Sequence, residues 1–131
     1  MILMLIHIPA AVGELIDKIT ILEIKQKNVQ DPAKQLTITT ELNHLNQCLN
    51  QHVSDSDDLR NARQKLRDIN QTLWNIEDDI RQCERQKCFD ATFIELARKV
   101  YYTNDQRAAT KQEINELTGS TISEVKSYEE Y

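Results

Sequence analysis

Glycine and proline, two of each in 131 residues, are too scarce to supply the tight turns that a sandwich or barrel of short strands requires. Leu, Ile, Glu, Gln, Lys and Arg fill the interior instead, residues that lose little freedom in a helix or tolerate it. An all-α fold is expected. The length suits one domain, residues 1–131, with enough apolar surface to bury without staples. No basic cluster stands out, since 16 Lys and Arg are interspersed among 21 Asp and Glu for a net charge of −5, which argues against a nucleic-acid partner. No run of apolar residues reaches the roughly 20 that span a bilayer. The apolar start, Met1 to Ile8, also lacks the basic flank and small-residue cleavage site of a signal peptide. Cysteines number three, an odd count that gives no disulfide framework; Cys48, Cys83 and Cys88 read as free thiols of a cytoplasmic protein.

What is present is a heptad seam. Leu59, Ala62, Leu66, Ile69, Leu73, Ile76, Ile80 and Cys83 step alternately by three and four along one long helix. The turn signals Ser54 to Asp58 precede it, and it should end near Lys87. A first helix is predicted from Val12 to Asn28, with Val12, Leu15, Ile16, Ile19 and Leu22 on one stripe and Ile21 and Ile24 widening it, a breadth that implies more than one neighbour. Asp31 and Pro32 cap a second, about Ala33 to Val53, with Ile38, Leu42, Leu45 and Leu49 on its seam. Asp90 caps a fourth, which Gly119 stops.

The helix lengths do not match. About 30 residues make roughly 45 Å of helix, whereas the first two helices reach only about 25 and 30 Å. In an antiparallel bundle of four, the long pair therefore leaves apolar seam uncovered at one end, unless the short helices stack end to end or a second subunit covers it. A homodimer is expected. The short extended segment at the N-terminus also needs a partner, either the tail Thr121 to Tyr128 or its own copy in a second chain.

Helix four breaks its own pattern. Phe93, Leu96, Ala97, Val100 and Tyr101 form an apolar face, then Thr103 to Arg107 are all polar. If the two long helices turn near Cys88, positions whose numbers add to about 177 lie opposite each other. Trp74 then faces Thr103 and Asn104, Asn70 faces Arg107, and Glu77 and Asp78 fall near Arg98, Lys99 and Tyr101. Such a mixed lining around one indole could orient a small polar or anionic ligand. Equally, a Glu77 to Arg81 pair with Arg98 bridging to Asp78 would be interhelical cross-linking that fixes register.

Other constellations carry less. His44, Cys48 and His52 share a helix face, but the outer pair is separated by about 12 Å of rise and no fourth ligand is nearby, so no metal is expected. Glu14 with Asp17, and Glu113 with Glu116, have the helical spacing of magnesium-binding carboxylates in all-α nucleotide pyrophosphohydrolases, without the doubled order those enzymes show. Glu14 to Lys25 has the charge pattern of a helical chorismate mutase but none of the arginines that would clamp its substrate. No cofactor is implied.

Four segments, VGELIDKITILEIK (Val12 to Lys25), LWNIEDDIR (Leu73 to Arg81), FIELARKVYYTNDQRAATK (Phe93 to Lys111) and GSTISEVKSYEEY (Gly119 to Tyr131), resemble those of a small bacterial family of unknown function. A serine commonly precedes the first helix in that family where Ala11 stands here, so the expected cap is missing. The resemblance implies no activity. It does imply that Asp17, Lys18, Trp74, Glu77, Asp78, Arg98, Tyr101, Asn104, Asp105, Arg107 and Lys111 occupy motif positions, and it hints at surface-polysaccharide synthesis. The expectation from sequence is a dimeric, non-enzymatic helical adaptor, with a ligand-binding or enzymatic bundle as the alternative.

Overall fold

The chain ends its helices where side chains can satisfy the orphaned backbone groups. In the computed structural model, which describes residues 4–120 and residue 130, four helices follow in order: α1 Val12–Asn28, α2 Pro32–His52, α3 Asp57–Arg85 and α4 Ala91–Thr118. Asp31 accepts from the Ala33 amide at 3.4 Å, Ser56 from Leu59 at 3.1 Å, and Asp90 from Thr92 and Phe93 at 3.1 and 3.4 Å. Each cap satisfies a donor the helix itself leaves unpaired. Gly119, at φ 67° and ψ 31°, turns the chain out of α4 while the Ser120 amide donates to Asn115 O.

Helix α3 ends two residues before the predicted Lys87, for a local reason. Lys87 takes the left-handed conformation at φ 54°, and the Cys88 amide reaches back to Cys83 O at 2.9 Å. This is a glycine-type stop made with a lysine. Phe89 and Phe93 then meet edge to face, with centroids 5.2 Å apart, to brace the turn.

The α3–α4 hairpin keeps the predicted register. Asn70 and Arg107 converge on one carboxylate, that of Asp17, and Lys65 lies 3.5 Å from Glu113, one position off the expected diagonal. Helices α1 and α2 do not stack end to end; they pair side by side through Lys18 with Glu41 and Gln26 with Thr39. Helix α1 packs against all three others, as its broad stripe required. Ile16, Ile19, Leu66 and Ile114 are fully buried at its crossing, with Leu22, Leu42, Leu49, Leu59 and Ala62 around them. Truncating Leu66 to Ala should cost about 3–5 kcal/mol, the range for leucines with no room to collapse.

The crossing covers only part of the hairpin. No residue from Glu77 to Tyr102 is buried, although Ile80, Cys83, Phe93, Leu96 and Val100 continue the seam there in half-buried positions. The hairpin therefore ends in a two-helix arm outside the buried core. At the other end, Met4 to Ala10 has no regular structure and leaves Met4, Leu5, Ile6 and Ile8 exposed. Its suggested partner, Thr121 to Tyr128, lies outside the described residues. No helix among those residues is long and apolar enough to cross a membrane.

Candidate functional site

Helix α1 places one acid where water cannot reach it. Asp17 is 1 % exposed, and an unpaired carboxylate at that depth would be prohibitive. Its two oxygens are saturated from two helices. Asn70 Nδ2 of α3 donates to Oδ1 at 2.9 Å, and Arg107 of α4 donates through Nε to Oδ1 at 2.9 Å and through a terminal nitrogen to Oδ2 at 2.5 Å. Asn70 also donates to Thr20 Oγ1 at 2.9 Å, and Thr20 donates to the carbonyl of Asp17 at 2.8 Å. The fork-on-fork geometry fixes the Arg107 plane as well as its charge.

The same clamp continues along α1 and α4. Lys111, itself buried, reaches Glu14 at 2.7 Å, and Asn115 Oδ1 accepts the Gly13 amide at 2.7 Å. Gly13 is required by this approach, because a Cβ there would meet Lys111 O at 2.4 Å. As expected, Ala11 caps nothing with its side chain; Asn115 and Ser120, whose Oγ is 3.4 Å from the Val12 amide, take over that role from across the bundle.

Beside the clamp, α1 and α3 diverge into a cleft of about 540 Å³. Ile21, Ile24 and Lys25 line one wall, Leu73, Trp74, Glu77, Asp78 and Arg81 the other, and Asn70 and Arg107 lie at its inner end. The indole thus opens towards α1, and Arg107 is the cleft's one residue from α4. Of the residues singled out from sequence, Asn70, Trp74, Glu77, Asp78 and Arg107 come together here, with Asp17 directly behind. Lys111 belongs to the clamp, one turn further along α4. Lys18 sits apart, exposed beside Glu41 at 3.7 Å.

Arg98 corrects the expected bridge to Asp78. It lies 3.8 Å from Glu95 on its own helix, and its guanidinium stands 5.9 Å over the Tyr102 ring. Hydrogen bonding to Tyr101 and then to Tyr102 holds it even more firmly protonated than usual. Helical spacing put Glu95 within reach where the neighbouring helix did not. Tyr101, Asn104 and Asp105 likewise lie on α4 outside the cleft lining, with Tyr101 stacked at a tilt 4.9 Å from Tyr102. The Glu77 to Arg81 pair forms as expected, at 2.7 Å.

Lys25, Ile21, Ile24 and Leu73 are cleft residues that the sequence did not place at the site. Hairpin register pairs α3 with α4 but does not say which turn of α1 lies against Trp74.

The other constellations are tied up internally. His52 Nδ1 lies 2.8 Å from the Cys48 carbonyl, and no group of three potential metal ligands occurs among the described residues. Glu14 is paired with Lys111 and Glu113 with Lys65, while Asp17 is held by Arg107. Neither carboxylate pair, Glu14 with Asp17 or Glu113 with Glu116, therefore presents two open acids.

Residues 4–131 match the model of the Family of unknown function (DUF6165), and the chain belongs to that family. No curated protein and no solved structure matches the chain.

Proposed function

We propose that this family member is a non-enzymatic helical adaptor, a homodimer in the cytoplasm of a bacterial cell, whose two copies join through the tips of their α3–α4 hairpins. The observation that carries the reading is the hairpin arm, residues 82–100, in which a heptad seam continues with nothing buried. Phe89 is 52 % and Ile94 57 % exposed there, apolar surface that water disfavours.

A second copy suits this arm because antiparallel hairpins meet by a two-fold axis, each filling the other's open seam to give a coiled-coil-like bundle of four. Acids and bases are intermixed along the arm, so neither sign dominates where two copies meet. The three thiols are unpaired, and two of them, Cys48 and Cys88, are exposed, which suits a reducing compartment.

The Asp17 carboxylate, accepting from Asn70 and Arg107, serves to hold three helices together. Sedimentation equilibrium tests the proposal: the parent chain should be dimeric at micromolar concentration, and Ile94→Glu with Phe89→Glu should be monomeric with unchanged helicity. A parent chain that stays monomeric defeats it.

A further inference from the structure

The Trp74 cleft lies between α1 and α3 of one chain, at the base of the hairpin arm. Its volume, about 540 Å³, falls within the range of small-molecule sites. Its charges sort into two kinds. Arg107 is committed to Asp17 and Arg81 to Glu77. Lys25 on the α1 wall and Asp78 on the α3 wall have no side-chain partner among the described residues. The half-buried indole of Trp74 and the half-buried aliphatic side chains of Ile21 and Leu73 complete the lining.

We propose that this cleft binds a small zwitterion with an apolar body, the chemistry of a free α-amino acid with an aliphatic or aromatic side chain. The carboxylate meets Lys25, the ammonium meets Asp78, and the apolar body lies on Trp74 against Ile21 and Leu73. A simple anion would satisfy Lys25 while placing its charge near Asp78 and Glu77, and a simple cation would do the converse with Lys25 and Arg81. A ligand carrying both charges is the one that leaves neither wall opposed. The indole contributes contact area and, through its face, attraction for the ammonium. Asn70 and Arg107, fixed by the buried carboxylate, keep the inner end of the cleft from collapsing.

Trp74 is the only tryptophan, so its fluorescence reports on this cleft alone. Titration of the full chain with L-leucine and with L-phenylalanine should give a saturable change at or below millimolar concentration. Isocaproate, which lacks the ammonium, and isoamylamine, which lacks the carboxylate, should each bind at least about tenfold more weakly. Lys25→Gln should abolish the preference for leucine over isoamylamine, and Asp78→Asn its preference over isocaproate. Both positions are exposed, and an unchanged thermal melt verifies the fold. The proposal is overturned by the absence of a saturable response to either amino acid, or by either single-charge analogue binding the parent chain as tightly as leucine.

Discussion

Asn115 caps the start of α1 from across the bundle: its Oδ1 accepts the amide of Gly13, 102 positions away in sequence, at 2.7 Å, buried between α1 and α4. Replacing Asn115 with Ala leaves that donor without a partner and should cost about 1–2 kcal/mol. In that background, Ala11→Ser should recover about half of the loss, since a serine at the cap position can serve the same first turn. Thermal denaturation of the three proteins checks the pair; recovery of nothing would mean the amide is not what Asn115 contributes.

Gly13→Ala tests the close approach rather than the cap. The added methyl would meet the Lys111 carbonyl, which belongs to helix backbone and cannot swing away. A loss of about 1–3 kcal/mol is expected, opposite in sign to the gain Ala normally brings to a helix.

Breaking the clamp from one side should be worse than removing it. Arg107→Ala leaves Asp17 buried with its bidentate partner gone, at about 2–4 kcal/mol once the 29 % exposure of the guanidinium side chain is allowed for. Arg107→Lys should recover little, because an ammonium cannot reproduce the fork. Asp17→Leu combined with Arg107→Met should be less destabilised than Arg107→Ala alone, a non-additivity that urea unfolding can measure.

At the hairpin turn, Lys87→Gly should stabilise the protein by about 0.5–1 kcal/mol by relieving the left-handed backbone at φ 54°. A fall in melting temperature would indicate that the lysine side chain matters more than its backbone.

Cys88 offers a charge test nearby. The Asp90 carboxylate, by its charge and then by accepting from the thiol at 3.6 Å, raises the Cys88 pKa and so holds down its thiolate fraction. Asp90→Asn removes the charge but keeps a good helix cap, so the pKa should fall and alkylation of Cys88 at neutral pH should quicken several-fold. Mass spectrometry of iodoacetamide-treated protein separates Cys88 from Cys48 and Cys83. An unchanged rate would exclude the carboxylate as the cause.

The hairpin was legible because its information is periodic and local. The steps from Leu59 to Cys83 define one face of α3, and the turn near Cys88 then brings Asn70 and Arg107 to one level. The mismatch in helix lengths likewise announced that part of the seam would run beyond the four-helix core, and from Ile80 to Val100 it is only half-buried. What the sequence hides is the path of α1. Its stripe says that it touches several neighbours, yet the partners of Asp17 lie 53 and 90 positions away, and no period links them. The α1 wall of the cleft, with Lys25, was invisible for the same reason. Arg98 shows the opposite error, in which hairpin geometry was asked to decide a choice that a neighbour on the same helix decided.

The separation between Gly13 and Asn115 also sets an order of events on the ribosome. Helix α1 is made first, but the groups that close its first turn and neutralise Asp17 sit on the helix made last of the four. During synthesis its apolar stripe can pair with α2 alone, and the charge on Asp17 must stay hydrated until α3 and α4 arrive. The first helix translated is therefore the last to be completed.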